Sequence, residues 1–150
     1  MYSIEEYDTQ KTKVLKYALY KKRTIREIKT KFRSVINEEM LEDILQELEE
    51  NGYIGDEMYI KKAVNEYIAL KNLSIKELKY KLSSKGVQNT LIEEYISENI
   101  EELEEYERKS AENITIKRAV NMDENDIRAY LMKKGYKEEN IKEAIAKIEE

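Results

Sequence analysis

The fold is decided by residues 74–96, which read SIKELKYKLSSKGVQNTLIEEYI. Apolar residues recur three or four positions apart on both sides of a Lys-Gly pair, at Ile75, Leu78, Leu82, Ile92 and Ile96. This spacing predicts two amphipathic helices joined by a short turn, in which Gly86 adopts the positive φ of a helix C-terminal cap. Ser74 and Glu77 have the spacing of a capping box, which predicts that the first helix begins there.

The pattern occurs three times along the chain. The second copy recurs in the third at a constant offset of 49 residues, with Gly135 in the place of Gly86. A first copy begins at Thr24, which has the spacing of a capping box with Glu27. This copy lies 50 and then 51 residues before the second, because it lacks the turn glycine. Such a period indicates small supersecondary units that bury their apolar faces by stacking on one another.

A further helix precedes each pair. Its apolar residues surround Val14 in the first unit and Val64 in the second, and we expect its third copy within residues 111–120. We therefore predict an all-α protein of three tandem three-helix repeats that form an elongated, curved stack of either hand. The predicted division is an N-terminal cap or extension and three repeats, at residues 1–10, 11–51, 56–105 and 106–150.

The composition disfavours most enzyme classes. The 150 residues include no cysteine and no histidine, so the chain lacks the usual zinc ligands, thiol nucleophiles and imidazole acid–base groups. Only four glycines are present, and none lies in a phosphate-binding motif. We therefore predict that the protein is not an enzyme and that it uses no cofactor and no metal.

The sequence resembles neither a secreted nor a membrane protein. Met1 to Gln10 is acidic and polar, unlike the basic and then apolar start of a secretory signal. No apolar run approaches the roughly 18 residues of a membrane span. Together with the absence of cysteine, these features predict a cytoplasmic protein that does not bind membranes.

Charge is segregated in blocks that the net value of −5 conceals. Residues 11–33 contain ten Lys or Arg against the single acid Glu27, whereas residues 38–57 contain nine acids and no base. Lysines return over residues 61–85, and acids return over residues 93–107. If equivalent helices lie side by side, the basic helices form one stripe and the acidic helices another.

Ten cations form what we call the basic face, the surface predicted to bind a partner or nucleic acid: Lys21, Lys22, Arg23, Arg26, Lys29, Lys31, Arg33, Lys76, Lys79 and Lys81. Each phosphate that a cation neutralises adds salt-dependent affinity. The alternative is an ordinary solvated surface of a lysine-rich protein. Among the tyrosines, Tyr20 and Tyr80 lie beside lysines and are the candidates for stacking on bases. The acidic helices are interpreted as exposed faces that favour solubility.

Three segments resemble the RecX family. Residues 51–60, NGYIGDEMYI, are similar to its Gly-Tyr-aliphatic-Asp-Asp-Glu-x-aromatic signature, with Gly55 in the place of the first Asp. Residues 74–87 resemble its Glu-Leu…Leu-x-x-Lys-Gly-Ile segment, and residues 131–136 resemble its closing Leu-x-x-Arg-Gly-Phe. We expect Asp56 to cap the helix that follows it. The signature residues with a structural role are Gly52, Tyr53, Asp56, Tyr59, Gly86 and Gly135.

The resemblance implies a regulator of the RecA recombinase. Proteins of this family bind the RecA filament on single-stranded DNA and inhibit its ATPase, strand-exchange and co-protease activities. The resemblance therefore implies a role in homologous recombination, DNA repair and the SOS response, with no catalytic residue and no small-molecule substrate. Two alternatives remain: a direct DNA- or RNA-binding protein of tandem helix-turn-helix-like units, and a helical protein-interaction scaffold.

Overall fold

The computed structural model describes residues 2–149 and contains nine α-helices and no strand in that range, which confirms the predicted all-α class. The helices are α1 (Ile4–Tyr20), α2 (Ile25–Phe32), α3 (Glu38–Glu50), α4 (Asp56–Leu70), α5 (Ile75–Ser84), α6 (Asn89–Glu98), α7 (Ile100–Arg118), α8 (Glu124–Lys134) and α9 (Glu138–Ile148). Met1 and Glu150, the outer ends of the predicted N-terminal extension and third unit, lie outside the described residues.

Several helices begin where a side chain supplies an acceptor for their first N–H groups. The predicted capping boxes at Thr24 and Ser74 are both formed, since each hydroxyl accepts from the N–H three residues on and the glutamate at that position accepts in return. Asn37 caps α3, and Asp123 caps α8. Both predicted capping boxes are therefore confirmed.

Within residues 2–149, buried apolar side chains form three clusters. The first joins α1, α2 and α3 around Val14 and Ile44, and the second joins α4, α5 and α6 around Ile60 and Leu78. The third joins α7, α8 and α9 around Leu131. This succession fits the predicted three-helix units, while their stacking into an elongated, curved array stays a prediction.

The helix bounds add detail at two predicted boundaries. α1 begins at Ile4 and so includes residues that we assigned to an N-terminal cap or extension. α7 begins at Ile100, and the predicted boundary after residue 105 falls inside this helix. The acidic segment 93–107 is two helices, because Asn99 has non-helical dihedral angles (φ −122°, ψ 24°) and ends α6. The rest of the division into units stays a prediction.

The first joint is the contact between the start of α2 and the turn that links α5 to α6. The Thr24 hydroxyl donates to the Lys85 carbonyl oxygen at 2.7 Å, and the Ile25 N–H donates to Oδ1 of Asp56 at 2.9 Å. The prediction that Asp56 caps α4 is wrong, because Gly55 is the N-cap residue and the Asp56 carboxylate binds α2 instead. The carboxylate thus meets the positive end of the α2 dipole.

The second joint repeats this arrangement one unit further on, between the start of α5 and the turn that links α8 to α9. The Ser74 hydroxyl donates to the Lys134 carbonyl oxygen at 2.6 Å, and the Ile75 N–H donates to Oε1 of Glu107 at 3.0 Å. α2, α5 and α8 therefore follow one another, with the N-terminus of each helix against the C-terminal turn of the next.

The turn glycines permit this close approach. Gly86 and Gly135 have φ values of 98° and 89°, which confirms the predicted positive φ. A Cβ atom at Gly86 would lie 2.7 Å from Cβ of Arg26, and one at Gly135 would lie 2.8 Å from Cβ of Lys76. A larger residue at either position therefore has no room unless the joint opens.

Candidate binding surface

The basic face lies on two successive helices and the connection before them. Lys21, Lys22 and Arg23 form that connection, after α1. Four of its cations, Arg26, Lys29, Lys31 and Arg33, lie on α2 or at its end, and three, Lys76, Lys79 and Lys81, lie on α5. Because the first joint places α5 directly after α2, the two basic helices adjoin, as the repeat predicts.

Two adjoining grooves run along the basic face. The first has a volume of about 470 Å³ and lies between α2 and the end of α5, with Arg26, Lys31, Ser84 and Lys85 in its lining. The second has a volume of about 430 Å³ and lies between α5 and the end of α8. Its lining includes Lys76, Tyr80, Lys81, Ser84, Lys133 and Lys134. Ser84 belongs to both grooves, so they form one extended basic surface.

Three lysines of these grooves, Lys85, Lys133 and Lys134, are absent from the predicted site. Lys85 and Lys134 stand directly before a turn glycine and Lys133 one residue earlier, at the end of a helix, where the negative end of the helix dipole favours a cation. The signal was present as the repeated Lys-Gly pair. What the sequence does not reveal is that each turn lies against the basic helix of the preceding unit.

Arg26 and Lys76 belong to the joints. Nη2 of Arg26 donates to the Ser84 carbonyl oxygen at 2.7 Å, and its stem lies over Gly86. The Lys76 stem lies over Gly135 in the same way. Substituting either cation would therefore disturb packing between units as well as charge.

Five other cations of the basic face are already partnered. Lys22 forms an ion pair with Glu66, and Lys79 Nζ lies 3.1 Å from an oxygen of Glu93. The Arg23 guanidinium lies 3.8 Å from the centre of the Tyr17 ring. Lys31 and Lys81 lie 5.7 and 5.8 Å from the ring centres of Tyr17 and Tyr67.

Lys21, Lys29 and Arg33 are exposed and form no ion pair with any residue from 2 to 149. Two tyrosines beside the basic residues are also exposed, Tyr20 by 84% and Tyr80 by 75%. These side chains can contact a partner without first breaking an internal interaction. They are the most accessible part of the predicted site.

The signature residues support the fold. Gly52 has a φ of 79° in the turn after α3, and Gly86 and Gly135 occupy the joints. Tyr59 is buried, and this burial raises the pKa of its phenol well above the usual range. Tyr53 differs, because 48% of its surface is exposed.

The described residues contain no group of three or more acidic side chains that could hold a metal ion. Within the same range, no helix is both long enough and apolar enough to span a membrane.

Comparison with known proteins finds RecX proteins in sequence and in structure. A "Regulatory protein RecX" from Finegoldia magna is 32% identical over 85 residues, which cover 56% of this chain and 42% of that relative. The crystal structure of RecX from Lactobacillus salivarius has a TM-score of 0.84 at 21% identity, covering 98% of this chain and 99% of the other. A crystal structure of another regulatory protein RecX has a TM-score of 0.78 at 21% identity, covering 92% and 72%. No protein-family model matches.

These findings confirm the predicted resemblance to the RecX family. The chain has the fold of RecX proteins over nearly its whole length, and it is related in sequence to a RecX over 85 residues. That match spans less than half of the curated relative's own length.

Proposed function

We propose that this chain is a RecX-like regulator that binds the RecA filament on single-stranded DNA and inhibits its ATPase, strand-exchange and co-protease activities. It acts in the cytoplasm, without catalysing a reaction, in homologous recombination and the SOS response to DNA damage. The observation that carries the proposal is the likeness to RecX over 98% of the chain, together with a sequence relative named a regulatory protein.

The joints suggest how such a protein engages a filament. Hydrogen bonds from Thr24 and Ser74 fix successive units in the same relative arrangement, so the basic residues of α2 and α5 recur at a set spacing. A filament is itself a repeat of identical subunits. A repeated surface can contact several subunits at once, and linked contacts raise affinity beyond that of any one contact.

Inhibition follows from holding neighbouring subunits together. The ATPase cycle of a filament requires its subunits to change their relative positions. A stack of units that bridges two subunits binds one of their arrangements more tightly than the other. The ATPase cycle slows because leaving the favoured arrangement costs this difference in binding free energy.

The experiment is a titration of this protein into RecA filaments on single-stranded DNA while ATP turnover is followed. We expect turnover to fall as the protein approaches the concentration of RecA. A DNA-dependent ATPase unrelated to RecA is the control, because sequestration of DNA would inhibit both enzymes. Unchanged RecA turnover at stoichiometric protein would refute the proposal.

Direct binding to single-stranded nucleic acid is the second candidate. It is favoured by the exposed rings of Tyr20 and Tyr80 beside the basic residues, since aromatic rings and cations together bind single strands. Fluorescence anisotropy of a labelled oligonucleotide, without RecA, tests it. This function predicts affinity that falls steeply with salt, and no binding at low salt would rule it out.

A further inference from the structure

A second kind of groove lies in the middle unit and contains no residue of the basic face. It has a volume of about 640 Å³, lies between α4, α6 and the start of α7, and is called the central groove below. Its apolar lining consists of Met58, Ile60, Leu91 and Tyr95. Four carboxylates line it as well, those of Glu57, Glu94, Glu98 and Glu102.

The charges of the central groove are unbalanced. Within the part of the chain that the structure describes, none of its four glutamates forms an ion pair, and neither does Lys61 on the same lining. The groove therefore presents an apolar surface with a net negative charge around it. Burial and the nearby Glu102 raise the pKa of Tyr95, so its phenol stays neutral there.

The first unit has residues equivalent to those that line the central groove. They lie 50 residues earlier on the first helix of the unit and 51 residues earlier on its third helix. Tyr7 and Lys11 of α1 stand there in the places of Glu57 and Lys61. The first unit therefore shows which side chains can occupy the space that is open in the middle unit.

In the first unit an aromatic side chain and a lysine close the gap. Nζ of Lys11 lies 2.7 Å from Oε2 of Glu47, and the Tyr7 hydroxyl donates to the Asp43 carbonyl oxygen at 3.3 Å. Tyr2 stacks on Tyr7, and its hydroxyl donates to the Asp43 carboxylate. The acidic helix α3 therefore receives both an apolar ring and a positive charge.

The third unit is closed as well. The second joint gives the register of α7, because Glu107 accepts from the start of α5 as Asp56, 51 residues earlier, accepts from the start of α2. In this register Glu112 has the place of Lys61, and Lys147 has the place of Glu98, 49 residues earlier. The charges are exchanged, and the two side chains lie 2.7 Å apart. Arg108 adds a second contact to Glu112 at 2.6 Å. Among the described residues, the first and third helices are bridged at this position in both outer units but not in the middle one.

We propose that the central groove binds a segment of a protein partner that carries an aromatic or long aliphatic side chain flanked by lysines or arginines. The apolar lining accepts the anchor, as the first cluster of buried side chains packs against Tyr7. The unpaired glutamates accept the cations, as Glu47 accepts Lys11. Phosphates are repelled by the same carboxylates, so the occupant is a protein. This inference rests on the proposed function. The basic face would contact the nucleoprotein filament, and the central groove would bind a segment of protein.

The direct test uses a synthetic helical peptide in which an apolar stripe of Tyr and Leu is flanked on both sides by Lys, titrated into ¹⁵N-labelled protein. We expect the shifted amides to cluster at residues 57–65 and 91–102. α3 is the internal control, because it carries seven acids but its side toward α1 is already occupied by Tyr7 and Lys11. Equal shifts on α3 and α6, or no saturable binding, would overturn the proposal.

A charge reversal tests whether the glutamates of the central groove bind the cations of the peptide. The variant Glu94→Lys with Glu98→Lys is compared with Glu39→Lys with Glu42→Lys, which makes the same change of charge on exposed positions of α3. We expect the groove variant to lose peptide affinity about tenfold or more and the control to lose less than about threefold. Equal losses would mean that the peptide is attracted only by overall charge.

An occluding variant separates shape from charge. Glu57→Tyr places an aromatic ring where the first unit has Tyr7, and Glu38→Tyr makes the same substitution at the start of α3. We expect only the first substitution to block the peptide, with unfolding curves showing that both variants fold. If Glu57→Tyr binds the peptide as the wild type does, the groove is not the site.

The same variants are then tested for inhibition of RecA ATP turnover. If the peptide saturates the groove of a wild type that does not inhibit RecA, the proposed function fails and the groove proposal stands. If the wild type inhibits RecA but the peptide binds elsewhere, the groove proposal fails and the proposed function stands.

Discussion

The first and second joints share their hydrogen-bond pattern, but the carboxylate of each joint lies in different surroundings. In the first, Asp56 reaches the start of α2 from the first turn of α4 and stays partly exposed. In the second, Glu107 lies in the middle of α7, is 1% exposed, and also accepts from Nδ2 of Asn140 at 2.6 Å. The acid keeps its place in the repeat, 51 residues on, while α7 begins seven residues before it and its surroundings become buried. A buried acid leaves more unsatisfied donors if it is lost.

The largest effect is expected from Glu107→Ala. The substitution leaves the N–H of Ile75 and the amide of Asn140 buried without an acceptor, and we expect unfolding free energy to fall by about 3–5 kcal/mol. Glu104→Ala is the control on the same helix, because its exposed pair with Lys137 contributes less than about 1 kcal/mol. Urea unfolding measures both, and equal small losses would contradict the role of the buried carboxylate.

The next effect is expected from Gly86→Ala compared with Gly52→Ala. Both glycines have positive φ, but a Cβ atom meets Arg26 at Gly86 and nothing within 4 Å at Gly52. We expect a loss of about 2–3 kcal/mol at the joint and about 1 kcal/mol at the other turn. Thermal and urea unfolding compare the two variants. Similar losses would show that the close approach at the first joint contributes nothing beyond backbone strain.

A smaller effect is expected from Asp56→Ala. The substitution removes the acceptor of the Ile25 N–H. Because this N–H is partly exposed, water can take the place of the carboxylate in part, and we expect the unfolding free energy to fall by about 1–2 kcal/mol. Glu57→Ala, the neighbouring substitution, should change stability by less than about 0.5 kcal/mol. A loss for Asp56→Ala as large as that for Glu107→Ala would contradict the difference between the joints.

The smallest effect concerns pH. Lys137 follows the turn of the second joint, and its hydrogen bond to Glu104 raises the pKa of its ammonium, whereas Gln88 stands at the equivalent position after the first joint. A raised folded-state pKa stabilises the protein below the unfolded value of about 10.4, and this contribution is lost as pH rises further. The difference in urea midpoint between the wild type and Lys137→Gln should therefore shrink above about pH 10. A difference that stays constant with pH would contradict this contribution.

Much of the fold could be predicted from the sequence because its signals are local. Capping boxes at Thr24 and Ser74, turn glycines, and apolar spacing report on a few neighbouring residues and need no knowledge of distant ones. The role of Asp56 could not be predicted in this way. Its side chain has the right chemistry and place to cap α4, yet its hydrogen bond goes to Ile25, which is 31 residues earlier.

For the basic face, the sequence predicts which residues are cations but not how these side chains contact the rest of the protein. Charge blocks in the sequence identify the basic helices, but they cannot show that Arg26 and Lys76 pack over glycines of the next unit. Nor can they separate partnered cations such as Lys79 from free ones such as Lys29, because the pairing depends on how helices face one another. Of the ten candidate cations, two lie in the joints and five have a partner within the chain. The remaining three, Lys21, Lys29 and Arg33, can be changed without breaking an internal contact.

The most direct test of the proposed function is inhibition of RecA ATP turnover by a variant that reverses the three free cations of the basic face, Lys21→Glu, Lys29→Glu and Arg33→Glu. A control variant makes the same charge change at exposed lysines on α1, α4 and α7 that form no ion pair with the described residues, Lys13→Glu, Lys62→Glu and Lys117→Glu. We predict that the control inhibits as the wild type does, while the basic-face variant requires about tenfold more protein or more. Equal inhibition by the two folded variants would contradict the basic face as the contact with the filament.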